Sequence, residues 1–242
     1  MKRSGYSGAC RACDTILRHN GGMTRIAIIG GHGKVALHLS ALLTEQGHSV
    51  TSFIRNPDHA AEVAATGASP SVLDVEKSTT ADIAAALGNH DAVVWSAGAG
   101  GGNPARTYAV DRDAAIRSMD AAAEAGVGRY VMVSYFGAGP DHGVPEGHSF
   151  HAYAEAKAAA DEYLRGTDLA WTILGPGSLT EGPGNGLIEA NPDDASSGTQ
   201  TSRANVAIVA AAVLDLPATA GRTIEFRDGT QPVAAALDAL QQ

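Results

Sequence analysis

Cysteine is nearly absent from this chain. Only Cys10 and Cys13 occur, both close to the N-terminus, so a disulfide framework is excluded. The C-x-x-C pair has no second pair and no strand–helix unit around it. Structural zinc takes four tetrahedral ligands, so neither a zinc site nor a redox dithiol is expected there. Charged residues are scarce at 18%, and 44% of the chain is hydrophobic, which excludes a disordered polyelectrolyte and supplies a real core. Basic residues are the minority, 17 Lys and Arg against 26 Asp and Glu, for a net charge of −9. Such a surface repels phosphate backbones, so no nucleic-acid partner is expected, and any anionic ligand must be held by a local exception. Long apolar runs are missing too, and residues 1–22 lack the apolar stretch of a signal peptide. Neither a membrane partner nor secretion is expected, and the location expected is cytoplasmic. Residues 1–22 are basic, Gly-rich and unpatterned. They are expected to form a disordered arm, or to reflect a start placed too far upstream, ahead of one domain over 23–242.

What is present is alternation. Short apolar runs predict strands over Arg25–Gly30, His48–Ile54, Ser69–Leu73, Asp91–Trp95, Arg129–Ser134 and Leu169–Leu174. Helical stripes separate them, as over Lys34–Gln46, where Val35, Leu39, Leu42 and Leu43 share a face and Gly47 ends the helix. Further helices are predicted from Asn56, over Ala81–Leu87, up to Gly126 and over Ser149–Arg165. Apolar strands alternating with helices predict an α/β fold, a Rossmann-type doubly wound parallel sheet covered on both faces. Residues 175–200, rich in Gly, Pro, Asn, Asp and Ser, are expected to be loops beside the substrate. A helix over Arg203–Leu214, a strand over Arg222–Phe226 and a helix over Pro232–Leu240 close the chain.

The first predicted strand runs into Gly30-Gly31-His32-Gly33-Lys34-Val35-Ala36, which opens a helix. Spaced G-x-x-G-x-x-A, this is a dinucleotide-binding turn: Gly30 for the tight bend, Gly33 for close approach of a pyrophosphate, Ala36 for helix–strand packing. Amides and the helix dipole would face the phosphates. An NAD site would carry Asp or Glu near the end of the second strand to hold the ribose 2′-hydroxyl. Here Ser52, Phe53, Ile54 and Arg55 stand instead, with no carboxylate before Asp58. A guanidinium suits a 2′-phosphate, so NADP(H) is expected ahead of NAD(H), which stays possible.

Gly30–Ala36, the FIRNP run ending at Pro57 and Leu73-Asp74-Val75 resemble the atypical short-chain dehydrogenase/reductase family, in its NAD(P)H-binding, NmrA-like and flavin/biliverdin reductase-like branch. The similarity continues through Ser96–Gly100, Val133–Ala138, Tyr153–Lys157 and Thr172–Thr180. The resemblance implies that Asp74 and Val75 meet the adenine, and that Ala97 and Gly98 line the ribose and nicotinamide side.

Tyr153 and Lys157, four apart on a predicted helix, project from one face in the Y-x-x-x-K arrangement of catalytic short-chain dehydrogenases. A tyrosine pKa of about 10 is too high for easy proton transfer at neutral pH, and an adjacent ammonium is expected to lower it. Tyr153 would then protonate an acceptor carbonyl, with Lys157 also bonding the nicotinamide ribose and Ser134 orienting the same oxygen. Tyr135, where relatives often have a small hydroxyl residue, and Gly175, where they commonly have Arg, depart from the family pattern. His142, His148 and His151 lack a helical i, i+4 ligand pair and are expected to line or cap the pocket, not to hold metal. Asp111 is expected to be a solvated or capping carboxylate. The resemblance implies an NADPH-dependent reductase of a small carbonyl, quinone or flavin-like acceptor. A non-catalytic NADP(H) sensor and a sugar-nucleotide epimerase or dehydratase stay open, the latter opposed by a short C-terminal part. Nothing in the sequence specifies an oligomeric state.

Overall fold

A computed structural model describes residues 23–100, 102–192 and 200–240. The expectations for residues 1–22, including Cys10 and Cys13, lie outside them. The chain forms β1 (Arg25–Ile29), α1 (Lys34–Glu45), β2 (Ser49–Ile54), α2 (Ala60–Ala64), β3 (Ser69–Val72), α3 (Thr80–Leu87) and β4 (Ala92–Trp95). There follow α4 (Pro104–Thr107), α5 (Ala115–Glu124), β5 (Arg129–Val133), α6 (His151–Arg165) and β6 (Ala170–Pro176). The remainder builds β7 (Ser178–Thr180), β8 (Leu187–Ala190), β9 (Gln200–Ser202), α7 (Arg203–Leu214), β10 (Arg222–Asp228), β11 (Gln231–Pro232) and α8 (Val233–Ala239).

The main sheet runs β11-β8-β10-β6-β5-β4-β1-β2-β3. Its strands are parallel from β10 to β3, and β8 pairs antiparallel with both β10 and β11. Within it lies the 3-2-1-4-5-6 order of a doubly wound fold, as the alternation predicts. Successive residues of a strand point to opposite faces, and here both faces are covered. Ile26 and Ile28 pack on one side with Leu39 and Leu43 of α1 and Val206 and Val209 of α7. Ala27 and Ile29 pack on the other with Ile83 of α3, Met119 of α5 and Leu164 of α6. Each large aliphatic so buried contributes about 1.5–3 kcal/mol.

Two departures matter for the site. Residues 175–200, expected to be loops, contain β7 and β8, and β9 begins at Gln200. Their partners are distant in sequence: Ala190 pairs with Phe226 and Leu179 with Thr201, so local composition did not show them. Between α4 and α5, Tyr108–Ala114 winds as a π-helix, and its Asp111 is buried at 1% exposure, not solvated as expected. Wide turns of this kind recur at functional sites.

Candidate active site

The strand order reverses between β1 and β4, because β2 and β3 lie on one side of β1 and β4 on the other. The crevice beyond their carboxyl ends is where a doubly wound sheet binds ligands. The glycine turn closes it tightly. Gly30 has φ +86°, and a Cβ there would lie 2.5 Å from Cα and N of Ala97. The amides of Gly30 and Gly31 both donate to the carbonyl of Phe53, which fastens the turn to β2. Gly33 is the N-cap of α1 and supplies no side-chain cap, so the first amides of the helix are left for a ligand.

A cavity of about 280 Å³ starts at this turn. Gly30, His32, Gly33, Arg55, Asp74, Val75, Ala97 and Gly98, all anticipated from sequence, line it. Gly31 lies beneath, where a Cβ would meet Ser52 at 2.5 Å. Val35 is buried in the core, and Lys34 is turned away, its Nζ 2.7 Å from Glu181. At the far end, Asp74 Oδ1 is buried without a hydrogen-bond partner among the described residues, a fit for the amino group of an adenine. Exposed amides for a pyrophosphate, an unpartnered acceptor for an adenine and a cationic rim all suit a dinucleotide.

That rim holds residues the sequence did not announce. Glu76 Oε2 lies 3.1 Å from Nε of Arg106 and 3.6 Å from a guanidinium nitrogen of Arg55. Arg106 also donates to the Ala99 carbonyl, and Arg117 fixes the loop by donating to the carbonyls of Val75 and Glu76. His32 and His59 stack with centroids 3.6 Å apart, and His32 Nε2 is 2.7 Å from Glu62.

A second cavity, of about 530 Å³, opens where β5 and β6 end. Ser134, Tyr135, Tyr153 and His142 line it. Strands β4 and β5 are neighbours, Trp95 opposite Met132, so the two cavities lie at the ends of adjacent strands. Tyr153, Lys157 and Asp161 are spaced four apart on α6. Lys157 is buried, and its Nζ donates to the Val133 carbonyl at 2.8 Å and approaches Met132 Sδ at 3.1 Å. Ser134 Oγ donates to Asp161 Oδ2 at 2.5 Å. The other Asp161 oxygen is buried and unpartnered.

The electrostatics correct a second expectation. Tyr153 is not lowered by Lys157. Burial pushes its phenol above the usual value, and the carboxylates of Asp111 and Asp161 push it further. Burial likewise pushes Lys157 down and Asp111 and Asp161 up, while the opposite charges of the cluster resist those shifts. Asp111 reaches this cluster from the π-helix: Oδ2 accepts the Ala99 amide at 3.0 Å, and a Cβ on Gly98 would touch Oδ1 at 3.1 Å.

The histidines need a correction as well. The helical pair here joins a histidine to a carboxylate, His151 and Glu155 at i, i+4 on α6. Ligand atoms of His142, His151 and Glu155 all lie within 4.8 Å of one another. Their hydrogen bonds are internal, however. Val144 N donates to His142 Nδ1, which leaves the His142 proton on Nε2, facing Glu155 at 2.9 Å. His151 Nδ1 faces the Val144 carbonyl at 2.9 Å. A metal on His142 Nε2 would put a proton on Nδ1 against an amide that already donates there. Only His142 of the three histidines lines the cavity. Among the described residues, no helix is long and apolar enough to cross a membrane.

Residues 30–217 match the family model described as NAD(P)H-binding. The chain is 34% identical over 218 residues to a Bacillus subtilis protein named "Uncharacterized sugar epimerase YhfK", covering 89% of this chain and all of that one. Among solved structures, the oxidoreductase ylbE from Lactococcus lactis superposes with a TM-score of 0.79 at 27% identity, over 89% of this chain and 96% of that one. A Bacillus halodurans protein named for the NAD-dependent epimerase/dehydratases superposes with a TM-score of 0.81 at 30% identity, over 90% of this chain and 100% of the other. The glycine crevice, the strand order and these matches agree: the chain belongs to the NAD(P)H-binding family, within the atypical short-chain dehydrogenase/reductase group that its motifs resemble.

Proposed function

We propose that the protein is an NADPH-dependent reductase of a small carbonyl, quinone or flavin-like acceptor. The observation that carries this is the placement of two cavities at the ends of neighbouring strands, one suited to a dinucleotide and the other walled by Ser134 and Tyr153. Gly30, Gly33 and the start of α1 would hold the pyrophosphate, Asp74 and Val75 the adenine, and Arg55 with Arg106 a 2′-phosphate. When bound, the reduced nicotinamide supplies hydride.

This chain's own residues then manage the proton. The raised pKa keeps Tyr153 protonated throughout the neutral range, so its hydroxyl is always able to donate to the acceptor oxygen. A phenolate left behind is disfavoured by burial, Asp111 and Asp161, so it would regain a proton from water, while Lys157, which those carboxylates help keep charged, would bond the nicotinamide ribose. Ser134, bonded to Asp161, would position the wall that faces the acceptor. A sugar-nucleotide epimerase, the activity in the YhfK name, would need room and cations for a nucleotide diphosphate. Among the described residues, the part beyond β6 builds strands of two to seven residues and the helices α7 and α8.

The test is steady-state NADPH oxidation against carbonyls, quinones and flavins, beside cofactor titrations. Tyr153→Phe should retain cofactor binding and lose turnover by about 100-fold or more with carbonyls. Lys157→Met should lower turnover and weaken NADPH together. An acceptor that takes hydride first and a proton from water would leave Tyr153→Phe nearly unaffected. Tight NADPH binding with no turnover on any acceptor would replace the enzyme by a sensor.

A further inference from the structure

Aromatic residues make up only 5% of this chain, yet four of them line the acceptor cavity: Tyr135, Phe136, Phe150 and Tyr153. Three of the rings meet one another, with centroids 5.2 Å apart for Tyr135 and Phe150, 5.1 Å for Phe150 and Tyr153, and 5.6 Å for Tyr135 and Tyr153. Phe150 is 37% and Leu179 40% exposed, and both line this cavity, so they offer it an apolar wall. Tyr135 carries a buried hydroxyl with no hydrogen-bond partner among the described residues. Burial, with Asp161 and Glu155, raises its pKa, so the hydroxyl stays neutral and able to donate. An unsatisfied buried hydroxyl is costly, and an acceptor oxygen on a ligand would relieve it.

Charge points the same way. No lysine or arginine lines this cavity among the described residues. The charged groups bonded to its lining residues are carboxylates: Glu225 Oε1 accepts the Gly137 amide at 2.7 Å, and Glu155 Oε1 is 2.9 Å from His142 Nε2. The cofactor end is the opposite, with Arg55 and Arg106 on its wall. An anionic group entering the second cavity would lose water and meet no cation.

We propose that this cavity takes a flat, uncharged aromatic ring bearing a carbonyl, and rejects anionic acceptors. The proposal rests on the reductase reading for turnover, but binding tests it separately. A ring stacks on Phe150 and Tyr153 and gains their apolar surface. Its carbonyl oxygen receives hydrogen bonds from the Tyr135 and Tyr153 hydroxyls. A cavity of about 530 Å³ accommodates one or two fused rings.

The experiment uses the full chain and two probes, a neutral methyl-naphthoquinone and a naphthoquinone sulfonate, each followed by calorimetric binding and by NADPH oxidation. The neutral probe should bind and turn over about tenfold or more better, since an unpaired charge in the cavity is penalised. Phe150→Ala should weaken the neutral probe severalfold. Leu179→Arg, at an exposed position, should raise affinity for the sulfonate and narrow or invert the preference. Equal or stronger binding of the sulfonate by the wild-type protein would overturn the proposal, as would failure of both probes to bind. Selective binding of the neutral ring without any NADPH oxidation would sink the reductase reading and leave this one standing. Turnover confined to anionic or aliphatic carbonyls would do the reverse.

Discussion

Glu76 makes cofactor choice testable from both sides. Its carboxylate sits between the two guanidiniums that would grip a 2′-phosphate, 3.1 Å from Arg106 and 3.6 Å from Arg55. A hydrogen bond to a charged group contributes about 1.5–3 kcal/mol. Arg55 is 57% exposed, so solvent screening places it at the lower end. Arg55→Ala should therefore weaken NADPH by about 1.5 kcal/mol, roughly tenfold, and leave NADH almost unchanged. Glu76→Gln acts the other way. Each partly exposed ion pair that Glu76 makes is worth about 0.2–1 kcal/mol, and the phosphate must displace or share both while facing the carboxylate's charge. Neutralising it should tighten NADPH about three- to tenfold. NADH, whose 2′-hydroxyl can donate to a carboxylate, should bind no better. In an Arg55→Ala background the gain should shrink without vanishing, because Arg106 remains and neighbouring sites do not add independently. The assay is calorimetric titration of both cofactors at one fixed ionic strength, since screening alters exposed charges. Weaker NADPH binding by Glu76→Gln, or equal losses of both cofactors in Arg55→Ala, would refute the reasoning.

Three further outcomes follow from the frame. Gly30→Ala places a Cβ 2.5 Å from the backbone of Ala97 at φ +86°, and should cost about 3 kcal/mol or more in urea denaturation; wild-type stability would disprove the close approach. Asp91 is held down to about 2 by hydrogen bonds from the Arg25 side chain and amide, against an ordinary 3.8. A depressed carboxylate stabilises above its unfolded value and loses that contribution as pH falls through the folded value. Asp91→Asn should therefore cost up to about 1 kcal/mol at neutral pH for this partly exposed pair, and the gap from wild type should close between about pH 4 and pH 2. A gap that stays constant with pH would show another cause. Arg129 donates to the carbonyls of Ala170 and Val213 and to the hydroxyls of Thr172 and Thr219, with burial pushing its pKa down to about 10. Arg129→Met strands those acceptors and should lower stability by about 3 kcal/mol; a neutral result would mean water replaces the guanidinium.

The fold was legible where a residue's neighbours in sequence decide its environment. Ile26, Ala27, Ile28 and Ile29 are all buried because both faces of β1 are covered, and a continuous apolar run is the mark of that situation. Gly30 was legible because a bend and a close approach leave no room for a side chain. β8 was not, because the segment holding Leu187–Ala190 earns its strand from Phe226, far along the chain. The same locality divides the site. Arg55 follows directly from β2, so its place at the strand end was readable, whereas Arg106 comes from α4 and reaches the same rim only after folding. Glu76 stands two residues beyond Asp74, after β3, whereas the pattern for a ribose-binding carboxylate points to the end of β2.

Spacing also set the limits on the catalytic side. A spacing of four puts Tyr153 and Lys157 on one face of α6, but spacing carries no information on what else that face meets. Asp111 enters from a π-helical turn and Asp161 from the next turn of α6, and together with burial they reverse the expected direction of the Tyr153 shift. The net charge of −9 was read as hostile to anions except at one local exception. The structure divides the crevice accordingly. Arg55 and Arg106 line the cavity at the glycine turn, and the cavity at the ends of β5 and β6 is walled by aromatic rings with carboxylates bonded to its lining. An acidic chain that binds one anion strongly has reason to concentrate its cations there. An anion in the other cavity would find no lysine or arginine among its lining residues, so a neutral acceptor suits this division of charge.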